Sequence, residues 1–316
     1  MQLEAKALRI SCLVRVKAIS VVLFLSLTTH SWTQTSEGEI KHQLDTIVNR
    51  KGFRNYKDTA TLNAVAHYIE NEFKMHTGNV RRQSYVANGM TYHNIITNIG
   101  DASKPLLVIG AHYDVCGQQK GADDNGTGVV GLLQLVKQLK AYEGDYYLEF
   151  VAYTLEEPPY YNTPAMGSYK HAESLHRNSV DVYGMICLEM LGYFSDAKKS
   201  QDYPIGLLKM IYGGKGNYIT LVRKLNKGKM VRRFSRRFKS SREVRTKRFT
   251  APKFLTGVDF SDHRSYWSFG YSALMITDTA FYRNHHYHEN TDVVETIDFK
   301  RMAKVIDAVV ISIQKL

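Results

Sequence analysis

The segment HYDVCGQQKGADDNGTG occupies residues 112–128, directly after the apolar run LLVIGA at residues 106–111. A short apolar run of this kind, followed by a polar segment with glycines, indicates a strand buried inside a sheet. The segment places one histidine and three aspartates close to the end of that strand. Ligands in α/β folds bind beyond the carboxyl ends of the strands, and imidazole and carboxylate groups are the usual zinc ligands. The stretch therefore predicts a central strand that leads into a metal site.

Strand-like and helix-like segments alternate on both sides of this stretch. Before it, two segments with helical apolar spacing, 39–48 and 59–76, precede a hairpin with Asn88-Gly89 as its turn. Further strands are expected at 147–154, 182–190 and 271–277, and further helices at 127–139, 166–175, 217–225 and 298–313. This alternation predicts an α/β fold with a mainly parallel or mixed central sheet and helices on both faces.

The positive charge of the chain is concentrated in one segment. The formal net charge of the 316 residues is +12, and residues 223–253 alone hold fourteen Lys or Arg and one acid. The rest of the chain has a net charge of −1, so we expect no nucleic-acid partner. The 316 residues, 44% of them hydrophobic, are enough for a sizeable core in one large domain, or at most two.

Two interpretations of the basic segment, residues 226–253, remain open. Met230, Phe234 and Phe238 recur every four residues, which fits an amphipathic helix that contacts an anionic membrane surface or an acidic partner. The favoured interpretation is a solvated, partly disordered insertion within a single catalytic domain that covers residues 34–316.

Residues 1–33 have the pattern of a signal peptide. Basic residues precede a short apolar run at 18–27, and a polar stretch follows it. The run has about half of the ~20 residues needed to cross a bilayer, so a retained membrane anchor is the weaker alternative. We expect cleavage near Thr33 or Gln34 and a secreted or periplasmic protein. Cys116 and Cys187 then remain in the mature chain, and the sequence leaves open whether they pair.

Three more groups of acidic residues or histidines follow predicted strands. They are the pair Glu156-Glu157, the single residue Glu189, and the segment HHYHENTD at 285–292. Adjacent carboxylates that leave a strand end cannot both point at one atom. The pair therefore suggests a division of labour, in which one glutamate binds a metal and the other deprotonates the attacking water.

The order of these motifs resembles peptidase family M28, whose members are zinc aminopeptidases and related exopeptidases with two co-catalytic metal ions. The motifs lie between residues 106 and 299 and read H-x-D, G-A-D-D-N-x-x-G, E-E, an acid after a strand, S-D-H and H-x-x-x-D. The resemblance implies two zinc ions and a peptide substrate. The metal ligands that it implies are His112, Asp124, Glu157, Glu189 and His288.

The resemblance implies two metal positions, each with two ligands of its own and one ligand in common. Asp124 bridges the two ions, His112 and Glu189 complete one position, and Glu157 and His288 complete the other. Many members of the family have aspartate where Glu189 stands, so the first ion is expected to sit differently here or to bind less tightly.

The resemblance also implies roles for residues that are not ligands. Glu156 is the general base, and Asp114 orients His112. His263, in the S-D-H motif, is expected to line the pocket, either as a donor to an oxyanion or as part of the wall. His286 is the alternative to the ligand taken from the last motif.

The leading hypothesis is a secreted, zinc-dependent aminopeptidase. A second hypothesis is a glutaminyl cyclase, because the cyclases share this fold and much of the motif order but typically bind one zinc. A third is a basic surface-binding protein without catalytic activity. The oligomeric state and the preferred substrate residue are not predicted by the sequence.

Overall fold

The computed structural model describes residues 34–226 and 228–316. The predicted signal peptide, residues 1–33, lies outside the described residues. Within the described ranges, every helix is too short or too polar to cross a membrane.

The described residues form one eight-stranded sheet. Its strands are β1 Arg81–Ala87, β2 Met90–Ile99, β3 Leu106–His112, β4 Tyr147–Tyr153, β5 Val182–Glu189, β6 Ile219–Lys224, β7 Thr246–Ala251 and β8 Ala273–Thr277. Their order across the sheet is β1-β2-β4-β3-β5-β8-β6-β7. The central neighbours β4, β3, β5 and β8 are parallel, whereas β1, β2 and β6 introduce antiparallel pairs. The prediction of an α/β fold with a mixed central sheet is confirmed.

Eight α-helices accompany this sheet in the described part of the chain. They are α1 Glu37–Val48, α2 Thr59–Lys74, α3 Gly128–Leu139, α4 Gly167–Arg177, α5 Leu208–Tyr212, α6 Gly228–Ser241, α7 His263–Ser268 and α8 Phe299–Gln314. Helix α3 packs on β3, β4 and β5 and contacts α1, α2 and α8, while α4 packs against α7.

The alternation of side chains along β3 divides the core in two. Leu107 and Ile109 belong to a cluster with the buried faces of α3, α6 and α8. Leu106 and Val108 belong to a second cluster with α4 and α7. Because successive side chains of a strand point to opposite faces, these clusters lie on the two sides of the sheet, and β3 is covered on both.

The hairpin that joins β1 and β2 was predicted correctly. Asn88 and Gly89 have φ angles of 47° and 78°, and Ala87 pairs directly with Met90. Two successive residues with positive φ are what a tight two-residue hairpin requires, and Asn-Gly meets that requirement with little strain.

The prediction of a helix at residues 217–225 is wrong, because this segment contains β6. The strand lies between β8 and β7, antiparallel to the first and parallel to the second. Five of its six residues are buried, so side chains are covered on both faces of the strand. A short run that is buried all round has no alternation, and periodicity alone cannot distinguish it from a helix.

The interpretation of the basic segment as a solvated, partly disordered insertion is also wrong. Helix α6 connects the parallel strands β6 and β7 and packs against α8. Met230, Phe234 and Phe238 are at most 1% exposed. The apolar stripe therefore belongs to the core, and only the charged face, which includes the exposed Arg232 and Arg236, is free to contact an anionic partner.

If α6 is part of the core, Phe234→Ala should lower the free energy of unfolding by about 3–5 kcal/mol, the usual cost of truncating a buried phenylalanine. The matched substitution Arg236→Ala removes an exposed side chain of the same helix and should change it by about 0.5 kcal/mol or less. Urea unfolding of both variants measures the difference. Equal stability of the two variants would contradict the packing of α6.

Candidate metal centre

The predicted site residues come together at the carboxyl ends of three neighbouring strands. His112 is the last residue of β3, Glu189 is the last residue of β5, and Glu156 and Glu157 follow β4. Strand β3 pairs in parallel with both β4 and β5, so these strand ends meet at one edge of the sheet. The loop after β3 brings Asp124 to the same edge.

The first group of candidate ligands surrounds His112. Its Nε2 atom lies 3.5 Å from Asp124 Oδ1 and 3.4 Å from Glu189 Oε2. All three side chains are buried. One ligand atom from each lies within 4.8 Å of the others, so a single ion can reach all three.

The second group surrounds His288. Its Nε2 atom lies 3.2 Å from Asp124 Oδ2 and 3.3 Å from Glu157 Oε2. Asp124 thus presents one carboxylate oxygen to each histidine of the site. His286, the alternative ligand, instead hydrogen-bonds through Nδ1 to Thr291 Oγ1 at 2.8 Å, so the structure brings His288 to the cluster.

The chemistry of these residues fits a pair of cations. Asp124 Oδ2, Glu157 Oε1 and His288 Nε2 make no well-aligned hydrogen bond with any described residue. Buried carboxylates that outnumber their positive partners are strongly destabilising unless a cation compensates them. A donor set of carboxylate oxygens and imidazole nitrogens is the set that zinc prefers in catalytic sites.

Burial and neighbouring charges shift the pKa values of the buried carboxylates in different directions. Burial and the charge of Asp124 raise the pKa of Glu157 to about 7. Burial also raises the pKa of Glu156 well above its ordinary value. Burial alone would raise the pKa of Asp124 too, but the adjacent His112 and His288 outweigh it and lower the pKa. The lowered pKa favours the ionised form of Asp124, which is the form that can bind a cation.

Asp114 contacts more than the histidine that it was predicted to orient. Its backbone oxygen lies 3.2 Å from His112 Nδ1, and its carboxylate oxygen Oδ1 lies 3.5 Å from the same nitrogen. The two carboxylate oxygens also accept the backbone N–H groups of Glu156 and Glu157, at 3.2 and 3.1 Å. Asp114 consequently positions both adjacent glutamates relative to the histidine.

Two more aspartates fix the loop that carries Asp124. The carboxylate of Asp292 accepts the backbone N–H groups of Asp123 and Asp124 at 2.9 and 3.0 Å. The Asp123 side chain points elsewhere and accepts the backbone N–H of Gly192 and the amide of Asn284. The spacing H-x-x-x-D was a visible signal for Asp292, whereas nothing in the sequence distinguished the role of Asp123 from that of its neighbour.

Arg54, which belongs to none of the predicted site motifs, supports the same loop from the N-terminal part of the chain. Its buried guanidinium donates to the backbone oxygens of Lys120 and Gly121. Its own backbone oxygen accepts the N–H of Val115. An isolated arginine so far from the motif gives no sequence signal for this contact.

The structure places His263 away from the cavity that it was expected to line. The ring is fully buried, its Nε2 atom lies 2.8 Å from the backbone oxygen of Val258, and its edge packs against Trp267. The reason is that His263 begins α7, whose buried side holds it in the core. Ser261 of the same motif reaches the site instead and donates to Glu189 Oε2 at 2.5 Å.

A cavity of about 270 Å³ opens beside the cluster, and its lining is mostly apolar. Glu156, Glu157 and Glu189 line the end next to the cluster, and aromatic rings line much of the rest. Two of its wall residues, Lys247 and Phe249, come from β7 and hence from the basic segment. The cavity is therefore suited to a large apolar group attached to a polar group at the carboxylates.

The mixed sheet and the carboxylate and histidine cluster at its edge define a class of α/β proteins with a candidate metal centre. Within that class, the model of Peptidase family M28 matches residues 94–312. The chain belongs to peptidase family M28, which supports a peptidase-like function.

Similar proteins are known in bacteria and fungi. "Uncharacterized protein YfbL" of Escherichia coli K12 is 36% identical over 293 residues, which are 90% of this chain and 88% of that protein. A probable leucine aminopeptidase 1 of Trichophyton verrucosum is 28% identical over 243 residues, 71% of this chain. The match covers 58% of the fungal protein, little more than half of its length.

A solved structure shows the same fold. The glutaminyl cyclase of Tannerella forsythia superposes with a TM-score of 0.66 at 18% identity, over 90% of this chain and 100% of the cyclase. At this identity the likeness establishes the fold and not the reaction.

If Asp124 bridges two ions, the zinc-loaded protein should contain close to two zinc ions per chain. Glu157→Gln should lose about one of them, because it weakens a single position. Glu156→Gln is the matched control in the adjacent residue and should retain both. Elemental analysis after removal of free zinc measures all three proteins, and one ion in each of them would contradict the bridging arrangement.

Proposed function

We propose that the protein is a zinc-dependent aminopeptidase with two metal ions. The observation that carries this proposal is that Asp124 faces His112 with one oxygen and His288 with the other, beside an apolar cavity. Membership of family M28 and the fungal relative named as a probable leucine aminopeptidase support it.

Two overlapping ligand sets would hold the ions. His112, Asp124 and Glu189 would hold one, and Asp124, Glu157 and His288 would hold the other. When bound, the ions supply Lewis acidity, which lowers the pKa of water and polarises a carbonyl oxygen.

Glu156 is the residue that moves protons. Its Oε2 atom lies 3.9 Å from His112 Nε2, its side chain lines the cavity, and Asp114 fixes its backbone. Its carboxylate accepts a proton from the attacking water and passes it to the nitrogen of the leaving amine. Burial and the neighbouring Glu157 and Glu189 raise the pKa of Glu156, which suits a group that must also hold the proton before donation.

The aromatic cavity selects the side chain of the substrate residue. Phe249, Phe260, Tyr212 and Tyr218 are among its walls, and Lys247 Nζ lies 3.5 Å from the centre of the Tyr218 ring. The ammonium group of Lys247 stacks on this ring, so the cavity walls present mainly apolar surface to a substrate. A large apolar side chain is stabilised there by about 25 cal/mol for each Å² removed from water.

Replacing the proposed base tests the mechanism directly. Glu156→Gln should lower kcat at least ~10²-fold, the lower range of general acid–base contributions. Because glutamine keeps the shape but cannot accept the proton, KM should change little. Steady-state kinetics on an N-terminal leucyl peptide measures both constants, and near-normal kcat would refute the role of Glu156.

The cavity predicts a ranking of substrates. Peptides with N-terminal Leu or Phe should exceed those with Ala by at least ~10-fold in kcat/KM, because one methylene in such a pocket is worth about 10–200-fold. Phe260→Ala should reduce this preference, and Phe254→Ala, which removes an exposed ring that does not line the cavity, should preserve it. Equal rates for Ala and Leu in the wild-type protein would contradict this use of the cavity.

A glutaminyl cyclase is the second candidate, because the chain covers the full length of a cyclase with the same fold. A peptide with N-terminal glutamine distinguishes the two reactions. Hydrolysis releases free glutamine, whereas cyclisation releases ammonia and leaves a peptide with a closed ring. Mass spectrometry of the products with an N-acetylated peptide as control decides between them.

We also propose that residues 1–33 direct export and are removed. The apolar run at 18–27 behind basic residues supports this, and N-terminal sequencing of the mature chain tests it. We further propose that the charged face of α6 contacts an anionic partner.

A further inference from the structure

A thiol lies beside the second group of candidate ligands. Cys116 is partly buried, and its Sγ atom lies within 4.8 Å of ligand atoms of both Glu157 and His288. We propose that Cys116 is an additional ligand of the ion held by Asp124, Glu157 and His288, which rests on the metal centre proposed above. Neither the sequence motifs nor the family resemblance assigned this residue a role.

The backbone on both sides of Cys116 is fixed. The N–H of Val115 donates to the backbone oxygen of Arg54 at 3.1 Å, and the side chain of Asn55 donates to the backbone oxygen of Gly117 at 2.6 Å. These two contacts anchor the short turn between the H-x-D motif and the loop of Asp124. These contacts hold the backbone of Cys116 in place, so its sulfur lies at the cluster on an anchored turn and not on a free loop.

Buried atoms of the second group lack well-aligned hydrogen bonds. Glu157 is 4% exposed and Asp124 is 2% exposed, and each has an oxygen without a well-aligned hydrogen bond to any described residue. The Nε2 atom of His288 also lacks a well-aligned hydrogen bond to any described residue. One ligand atom each of Cys116, Glu157 and His288 lies within 4.8 Å of the others, so a single ion can reach all three residues.

Thiolate coordination changes the character of this position. Zinc binds cysteine sulfur at about 2.3 Å, and the thiol releases its proton to solvent when it coordinates. With Cys116, the residues that would hold the second ion would number four, as in structural zinc sites.

Cys187 provides a matched control within the same chain. It is fully buried in β5, and its Sγ atom lies 3.2 Å from Ser261 Oγ. It does not occur in any of the potential metal-binding groups found among the described residues. The structure leaves both cysteines as free thiols, so neither is used up in a disulfide.

The proposal is tested by the spectrum of the cobalt-substituted protein. Full-length protein stripped of metal and loaded with Co²⁺ should show a thiolate-to-cobalt charge-transfer band in the near ultraviolet. Cys116→Ser should abolish the band, while Cys187→Ala and Cys12→Ala should retain it. Cobalt binding without the band in the wild-type protein would overturn the role of Cys116 but leave the metal centre standing. Failure to bind cobalt or zinc at all would overturn the metal centre itself.

Alkylation of the unmodified chain gives a second readout that needs no variant. Iodoacetamide should label Cys116 in the metal-free protein, and added Zn²⁺ should abolish that labelling, because coordination occupies the nucleophilic sulfur. Labelled positions are identified by mass spectrometry of peptides, with unfolded protein as the control for full labelling of all three cysteines. Labelling of Cys116 at the same rate with and without zinc would overturn the proposal.

Discussion

The ionised carboxylate of Asp124, buried between two histidines, is the interaction on which the candidate site depends. A buried anion without compensation is costly, and the two imidazoles together with the hydrogen-bonded loop offset that cost. The loop is held from two distant parts of the chain, by Asp292 at its backbone N–H groups and by Arg54 at its backbone oxygens. The two oxygens of Asp124 face different histidines, so one carboxylate connects both groups of candidate ligands.

The positions of the proposed base and of a metal ligand are coupled through one side chain. Asp114 accepts the backbone N–H groups of both Glu156 and Glu157 and also lies next to the ring of His112. A shift of this carboxylate would move all three residues together. The positions of the two adjacent glutamates thus depend on a third acid, Asp114.

The basic segment contains a helix that packs into the core and a strand that lines the cavity. Its apolar residues, Phe234 among them, pack α6 into the core, and Arg232, Arg236 and Arg237 are exposed. The strand that follows carries Lys247 and Phe249 into the wall of the cavity. A high density of charge therefore coexists with ordinary packing, because the apolar side chains recur on one face of the helix.

The sequence by itself determined the central strand, the Asn-Gly hairpin and the set of acids and histidines that converge, because these depend on local burial and on strand ends meeting at one edge. It did not determine β6 or the packing of α6, since a short buried run and an amphipathic stripe each fit more than one environment. The sequence also did not place His263 in the core. It did not reveal that Arg54 supports the loop of Asp124, or that the sulfur of Cys116 lies beside Glu157 and His288. Those features depend on contacts between segments far apart in the chain, and only the tertiary structure decides which side chains meet.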